Sequence, residues 1–581
     1  MSLIFERRIK KRTIILSIFF SLWTIGLILR LIQLQIFQHA RLKQEVIEHN
    51  QRIDKILPKR GTIYDRNGII LVRSIPYPSI FFTSFGEDVK KLSGKELNLI
   101  DRILDLDTHD LKRIKKQISN NDSFIWIERK VDPKMADQIS ALKLEGIHNL
   151  EENKRFYPQG KLAAHVLGTV NIDNQGVCGI ERSCNEILEG KIGKRLILSD
   201  AKRRKYRLEI IQKPVAGRNI VLTLDETIQY ITEKELEHAM LKTKAKWGTV
   251  IVSHPSNGEI LAMANYPTRN PNLLPPSSLD LNRNQAIHFL FEPGSTFKIV
   301  TASAAIESRK IGLNEIFDCS RGAISLDKIT YHDHSSFEKL SFPEVIIHSS
   351  NVGTIQVGQR LGEELISETI HNFRFGKQTG IQLPAEEKGK IRPIEQWSKY
   401  SVSSLSIGYE ISTTALQMLQ ALNVIANKGV YYPPNIIKSI EGSSPKTSTT
   451  SPKRIISEET ARILTGILEE AVEQGTGILS RIDDYKIAGK TGTAQKFDPE
   501  LNTYSSQVHT SSFMGFVPSQ DPVLSIIVVI DDPQGEFYGG TVAAPVFREI
   551  AREALRYLNI PGRRIMPERV ITAKIQSQES S

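Results

Sequence analysis

The stretch Gly-Thr-Val-Ile-Val-Ser-His-Pro-Ser-Asn-Gly-Glu-Ile-Leu-Ala-Met-Ala-Asn, residues 248–265, decides how the larger part of the chain folds. Two apolar runs, Gly248 to Ser253 and Glu259 to Asn265, flank Pro255-Ser256-Asn257-Gly258, and Asn-Gly between such runs marks an antiparallel hairpin. Three more strand-like runs lie far downstream: Tyr485 to Ala488 with its continuation, Ser511 to Val517, and Val523 to Ile530, the last two joined by Pro518-Ser519-Gln520-Asp521-Pro522. Helical patterns fill the interval, notably Ile299 to Ser308 and Thr414 to Asn427, and Pro545 opens a final helix to about Leu558. Strands first and last with helices between predict an antiparallel five-stranded sheet covered by helices, an α+β module over residues 216–560. The stretch Ser443 to Pro452 reads as an exposed loop and residues 561–581 as a disordered tail.

Toward the amino terminus, residues 38–215 form a second α+β region. Strand-like pieces (Ile69 to Val72, Ser123 to Ile127) mix there with charged helical ones (Ile103 to Ser119). Residues 40–55 carry apolar side chains at helical intervals and predict a helix that Pro58 ends. Ahead of it, the charge-free run Thr13 to Leu29 spans roughly 26 Å at about 1.5 Å per residue. Leu31 to Phe37 prolong it past Arg30, whose long stem can carry its charge to the interface. One membrane crossing over residues 13–37 follows. A cleaved signal peptide is the alternative, but the apolar stretch is long and no A-x-A-like site comes after it. Arg7, Arg8, Lys10, Lys11 and Arg12 keep residues 1–12 in the cytoplasm by the positive-inside rule, which places everything after the anchor outside.

The formal charge of +11 over 581 residues invites an anionic partner until its distribution is considered. Residues 1–220 hold 40 basic and 25 acidic side chains, whereas 221–581 hold 36 and 40. Part of the excess orients the anchor, and the run Lys202 to Arg207 reads as a solvated turn outside the cytoplasm, so no nucleic-acid partner is expected. Three cysteines (Cys178, Cys184, Cys319) are too few for a disulfide framework and lack zinc-ligand spacing; Cys178 and Cys184 are a weak candidate pair. No motif implies a metal or organic cofactor.

Chemistry concentrates in the larger module. Ser295-Thr296-Phe297-Lys298 follows Pro293-Gly294 and opens an apolar helix, which puts a hydroxyl nucleophile and an amine on one face. A neutral amine there can take the hydroxyl proton for acyl transfer. S-x-x-K recurs at Ser140, Ser199, Ser325, Ser336 and Ser443, but only Ser295 has Pro-Gly before it and a largely apolar helix behind. Ser349-Ser350-Asn351 offers a hydroxyl for proton relay and an amide to hold a peptide. Lys490-Thr491-Gly492-Thr493, on a predicted strand, offers positive charge, two hydroxyls for a carboxylate and a glycine that lets substrate approach the backbone. The ordered set S-x-x-K, S-x-N, K-T-G is far more specific than any member.

At these residues the chain resembles a class B penicillin-binding protein, over roughly residues 1–558. Phe291 to Lys298, His348 to Gly353 and Ala488 to Ala494 look like the family around its motifs. Arg60 to Gly68, Arg155 to Gly160, Ala164 to Gly168 and Gly179-Ile-Glu181 resemble its pedestal, and Tyr538 to Phe547 its closing segment. The resemblance implies a penicillin-binding-protein and serine β-lactamase-like transpeptidase domain (216–560) behind a non-catalytic pedestal or dimerisation domain (38–215). It implies catalytic roles for Ser295, Lys298, Ser349, Asn351 and Lys490, and substrate or oxyanion contacts for Thr491, Gly492 and Thr493. The reaction implied is D,D-transpeptidation of peptidoglycan stem peptides, with a possible carboxypeptidase side reaction and covalent inhibition by β-lactams. Partners implied are the lipid bilayer, a separate membrane glycan polymerase and other division proteins. Ser-Ser-Asn and Gly408-Tyr409 look like the division-specific (septal) type; the elongation-specific type usually has Asp for Asn351 and Gln for Tyr409. Glu410, where Gly is usual, and Ala415, where Pro is common, depart from the pattern. Rival readings are a membrane-anchored serine β-lactamase, for which no E-x-x-L-N segment lies between Asn351 and Lys490, and a non-enzymatic division scaffold or β-lactam sensor, for which only about twelve residues precede the anchor.

Overall fold

A computed structural model describes residues 2–83, 92–120, 122, 124–199, 205–273, 283–327, 329–443, 451–498, 500 and 503–562. The chain divides into two compact units that interleave along the sequence. One comprises Met1–Lys59, Pro76–Lys154 and Gly190–Gly217, the other Arg60–Ile75, Arg155–Glu189 and Arg218–Ser581.

The first unit begins with the helix Ser2–Ile32, which passes into a π-helical turn, Gln33–Phe37. Within it Arg7–Phe37 is long and apolar enough to cross a membrane. The helix predicted over 40–55 is shorter: His39–Asn50 is helical, and Gln51–Ile56 is a strand. Pairing overrides the local pattern, because these six residues join Gly193–Ser199 in antiparallel register, Gln51 opposite Leu198 and Ile56 opposite Gly193. The third strand of that sheet is Lys205–Gln212, so Lys205 to Arg207 are extended instead of turning; Lys202 to Arg204 lie outside the described residues. Farther along, Ile80 to Thr83 pairs with Phe124–Glu128, and helices Gly94–Leu104, Thr108–Ser119 and Pro133–Ala141 close a core of Ile80, Phe82, Leu97, Ile100, Ile114 and Ile125. The helix predicted from Ile103 to Ser119 is thus two. Asp105 ends the first with a left-handed φ of 51°, and the Asp107 carboxylate caps the second by accepting the Asp110 N–H at 2.7 Å.

The second unit is built on the five-stranded sheet that the sequence predicts. Its spatial order is Ile260–Tyr266, Trp247–Ser253, Leu524–Asp531, Thr503–Val517, Ala488–Asp498, with every pair antiparallel. The strand expected from Tyr485 starts at Ala488, Tyr485 being engaged in a lone bridge with Ile482. Alternate residues face opposite layers. Val250, Val252, Ile526, Val528 and Ile530 pack with helices Glu226–Thr243 and Ala544–Tyr557, while Ile251, Ile527 and Val529 pack on the side of helices Lys298–Glu307 and Ala415–Ala426. Both faces are covered, which is why these strands read as unbroken apolar runs. Short pieces from early in the chain complete this unit: Ile63–Tyr64 runs parallel to Ile220–Leu222, and the fully buried Glu181 carboxylate binds Arg60 and Arg155, each Nε at 2.6 Å. The three cysteines are free, and residues 444–450 of the predicted loop and 563–581 of the predicted tail lie outside the described residues.

Candidate active site

Ser295 lies in a 3₁₀ turn, Gly294–Phe297, that runs straight into the helix Lys298–Glu307. In 3₁₀ geometry side chains three apart eclipse, and the turn, closed by the Lys298 N–H donating to Ser295 O, sets Lys298 in line with Ser295. That helix is buried from Lys298 through Ile306 and places the amine inside the protein, 0% exposed. A buried amine needs acceptors. Lys298 Nζ donates to Ser349 O at 2.7 Å and Asn351 Oδ1 at 2.8 Å, with Ser349 Oγ at 3.4 Å. Lys490, 1% exposed, reaches the same serine from the edge strand Ala488–Asp498, donating to Ser349 Oγ at 2.8 Å and to Thr491 O at 3.3 Å. Ser349, at φ 59°, therefore stands between two buried amines.

The second motif is a tight corner between helices Phe342–Ile347 and Asn351–Leu361. Ser350 caps the latter, its Oγ accepting Gly353 N–H at 3.0 Å, and Asn351 Nδ2 donates to His332 O at 2.8 Å. On the edge strand, Thr491 Oγ1 lies 2.5 Å from Thr476 Oγ1, and Thr493 Oγ1 accepts Gly539 N–H at 2.9 Å. A side chain at Gly492 would sit 2.8 Å from Thr296 Cγ2, 3.0 Å from Pro293 O and 2.5 Å from Ser512 Oγ. What the missing Cβ makes room for is the serine turn itself. Ser295, Ser349, Asn351, Thr491 and Thr493 line one cavity of about 620 Å³, walled further by His334, Gln495, His509, Phe537 and Tyr538. Lys298 and Lys490 stand buried behind it.

Burial works against charge on both lysines. It brings Lys490 down to about 7, and it holds Lys298 well below the ordinary lysine value, helped by the Lys490 charge and opposed by Asp333. His334 is lowered too, by burial and by the two lysines.

Several residues of this neighbourhood carry no local sequence signal, because only the fold brings them in: Thr476, Asp333 and His334; Gly539 belongs to the closing segment the sequence does mark. Beside the cavity, Tyr409 Oη accepts Gln495 N–H at 3.4 Å and its ring meets Tyr504 edge-on at 5.1 Å; Tyr504 Oη donates to Glu292 at 3.1 Å. Gly408, at φ 83°, has no space for a side chain, since a Cβ would lie 2.2 Å from Gly294 O. Glu410 follows at φ 60°, a conformation that suits glycine, and is held there by its N–H to Glu292 Oε1 at 2.8 Å, by Ser401 Oγ at 2.8 Å and by Arg392. Ala415 is the first residue of its helix, the position at which proline is tolerated best, and a capping box between Thr414 and Gln417 starts that helix without one.

Residues 248–552 match the family model described as the penicillin binding protein transpeptidase domain, and residues 55–222 the one described as the penicillin-binding protein dimerisation domain. Stage V sporulation protein D of Bacillus subtilis is 33% identical over 523 residues, 87% of this chain and 79% of its own length. Peptidoglycan D,D-transpeptidase FtsI of Escherichia coli is 32% identical over 545 residues, 91% of this chain and 89% of its own. Among solved structures, penicillin binding protein 3 of Mycobacterium tuberculosis in complex with aztreonam superposes with a TM-score of 0.68 at 29% identity, covering 88% of this chain and 98% of that one.

Proposed function

From the premise that the chain belongs to the class B penicillin-binding proteins, and is a serine D,D-transpeptidase of peptidoglycan that binds β-lactams, we propose that it cross-links stem peptides through an acyl-enzyme on Ser295 during septal wall synthesis. The observation that carries this is the pair of buried amines converging on Ser349 beside Ser295 in one cavity. A neutral lysine amine has two N–H donors and one lone pair. The two donors of Lys298 are used by Ser349 O and Asn351 Oδ1, which leaves the lone pair for the Ser295 proton.

Ser295 Oγ attacks the carbonyl of the penultimate D-Ala as Lys298 takes the proton. The developing oxyanion faces the backbone N–H groups of Ser295 and Thr493. The peptide C–N bond breaks, and the proton passes through Ser349, held between Lys298 and Lys490, to the departing D-Ala amine. Asn351 has one amide N–H beyond its bond to His332 and offers it to the substrate backbone, while Thr491 and Thr493 receive the terminal carboxylate beside Lys490. An amine of a neighbouring stem peptide then attacks the ester, restores the Ser295 hydroxyl and completes the cross-link.

The anchor sets the compartment: residues 1–12 cytoplasmic, 13–37 crossing the inner membrane, the pedestal (38–215) and transpeptidase domain (216–560) outside, and 561–581 a tail. Asn351 in the second motif and Tyr409 after Gly408 support the septal role, with a membrane glycan polymerase and other division proteins as partners. Ser295→Ala is expected to abolish covalent labelling by a fluorescent penicillin, and persistent labelling would overturn the assignment of the nucleophile. For the septal role, a fluorescent fusion should gather at midcell; a dispersed lateral-wall pattern points to elongation.

A further inference from the structure

Asp333 follows the short strand Ile329–His332, and its carboxylate is spent on the start of the helix that carries the second motif. One oxygen accepts the backbone N–H groups of Asn351 and, at 3.1 Å, Val352; the other accepts Ser350 Oγ at 2.9 Å. The backbone N–H of Asp333 is tied to Gly322 O at 2.9 Å, and the carbonyl of the preceding His332 accepts Asn351 Nδ2. Two adjacent residues thus grip Asn351 by backbone and side chain at once. With Nδ2 committed to His332, Oδ1 must face Lys298 Nζ, where it lies at 2.8 Å. A carboxylate at the N-terminus of an eleven-residue helix is also favoured by the helix dipole.

We propose that Asp333 is a positioning residue of the transpeptidase: it locks Ser349-Ser350-Asn351 against the two lysines and supplies the negative charge under which Lys298 gains and gives up its proton. This rests on the roles given above to Ser295 and Lys298. The groups facing Lys298 separate by sign. Lys490, across Ser349, drives the proton off Lys298, and Asp333 is the anion that opposes it. His334, the next residue, is held below its ordinary value by burial and by both lysines, so it is neutral at and above pH 7. The Cys319 thiol, 3.4 Å from Ser350 Oγ, is pushed up by burial and stays protonated at neutral pH.

Asp333→Asn keeps the shape and removes the charge, and Asp333→Glu keeps the charge and alters the fit. The readout is the second-order rate of acylation by a fluorescent penicillin, measured on the full chain from pH 6 to 10. Asp333→Asn is expected to acylate about tenfold more slowly or worse, since small misplacements of reacting groups cost that much. Its rising limb should move to lower pH, because a Lys298 without the opposing anion loses its proton earlier. Asp333→Glu should be slowed with its limb in place. Wild-type rates in Asp333→Asn, or a slower rate with an unmoved limb, overturn the proposal. If Asp333→Asn does not melt cooperatively, Asp333→Glu decides by itself: slowing with an unmoved limb supports the inference, and a wild-type rate overturns it. Ser295→Ala tests the parent reading separately, so a blank Ser295→Ala beside a fully active Asp333→Asn sinks only this inference.

Discussion

Lys490 shows what the site costs the fold. Its folded amine loses its proton at about 7, whereas an unfolded lysine does so at about 10.4. Between those values the unfolded chain binds more protons than the folded one, so this group's contribution to stability rises with pH across the window and is at its least favourable below pH 7. Lys490→Met is therefore expected to lose acylation and yet melt higher than the parent at pH 6.5, with the gap narrowing by pH 9.5 in thermal melts; a gap that does not narrow would contradict the sign. Glu410 is a second residue under tension, with a left-handed backbone that costs a non-glycine residue roughly 1–2 kcal/mol and side-chain bonds that offset it. Glu410→Ala keeps the strain and loses the bonds, so it should melt below Glu410→Gly in the same assay. Residues of this kind divide by legibility. Ser295, Ser349 and Lys490 stand in short motifs whose chemistry can be read directly, whereas the oddity of Glu410 shows only against the family pattern. Asp333 and Thr476 meet the motifs only across the fold, and nothing in their immediate sequence announces it.

At the scale of elements, the junction of the edge strand Ala488–Asp498 with the serine turn sets the width of the cavity. Gly492 is the close point, and the Pro293 carbonyl 3.0 Å from its absent Cβ is backbone that cannot rotate away. Gly492→Ala is expected to push the strand off the turn, slowing fluorescent-penicillin labelling by about tenfold. Its melting, followed by circular dichroism, should stay within a few degrees of the parent; labelling at the parental rate would show that the strand has slack. The sheet itself was legible because strands buried on both faces are nearly pure apolar runs and Asn257-Gly258 marks the turn between two of them. Elements dominated by pairing were not. Gln51–Ile56 has helical spacing yet lies in a sheet with Gly193–Ser199, a partner some 140 residues away that no local window contains. The single helix expected over Ile103 to Ser119 failed for a smaller reason: Asp105 adopts a left-handed turn and Asp107 begins a new cap, the competition with helix that short acidic side chains bring.

Over the whole molecule, the two compact units do not follow a single cut in the sequence, and this decides which fragments can stand alone. A boundary near residue 215 separates the predicted pedestal from the predicted catalytic module, but Arg60–Ile75 and Arg155–Glu189 belong to the same unit as the serine. They bring Ile63, Leu71, Val72, Val166, Leu167, Ile180 and Leu188 into the hydrophobic core that also holds Leu222, Leu224 and Ile251. At about 1.5–3 kcal/mol for each fully buried apolar side chain, losing these seven removes more than 10 kcal/mol, as much as the whole net stability of a typical domain. Glu181 and its two arginines leave together, so the fully buried ion pair leaves no orphaned charge behind, while Glu259 and Glu237 lose Arg66 and Lys161. Residues 216–562 expressed alone are therefore expected to aggregate, to show no cooperative melt and to take no fluorescent penicillin. A chain lacking only residues 1–37 loses the apolar helix and its π-helical turn from the first unit and keeps the second whole; it should be soluble without detergent, melt cooperatively and label at Ser295 at the parental rate. A well-folded, labelled 216–562 fragment would mean that the early segments decorate the core without being part of it, and the catalytic unit would then have to be redrawn as beginning after residue 215.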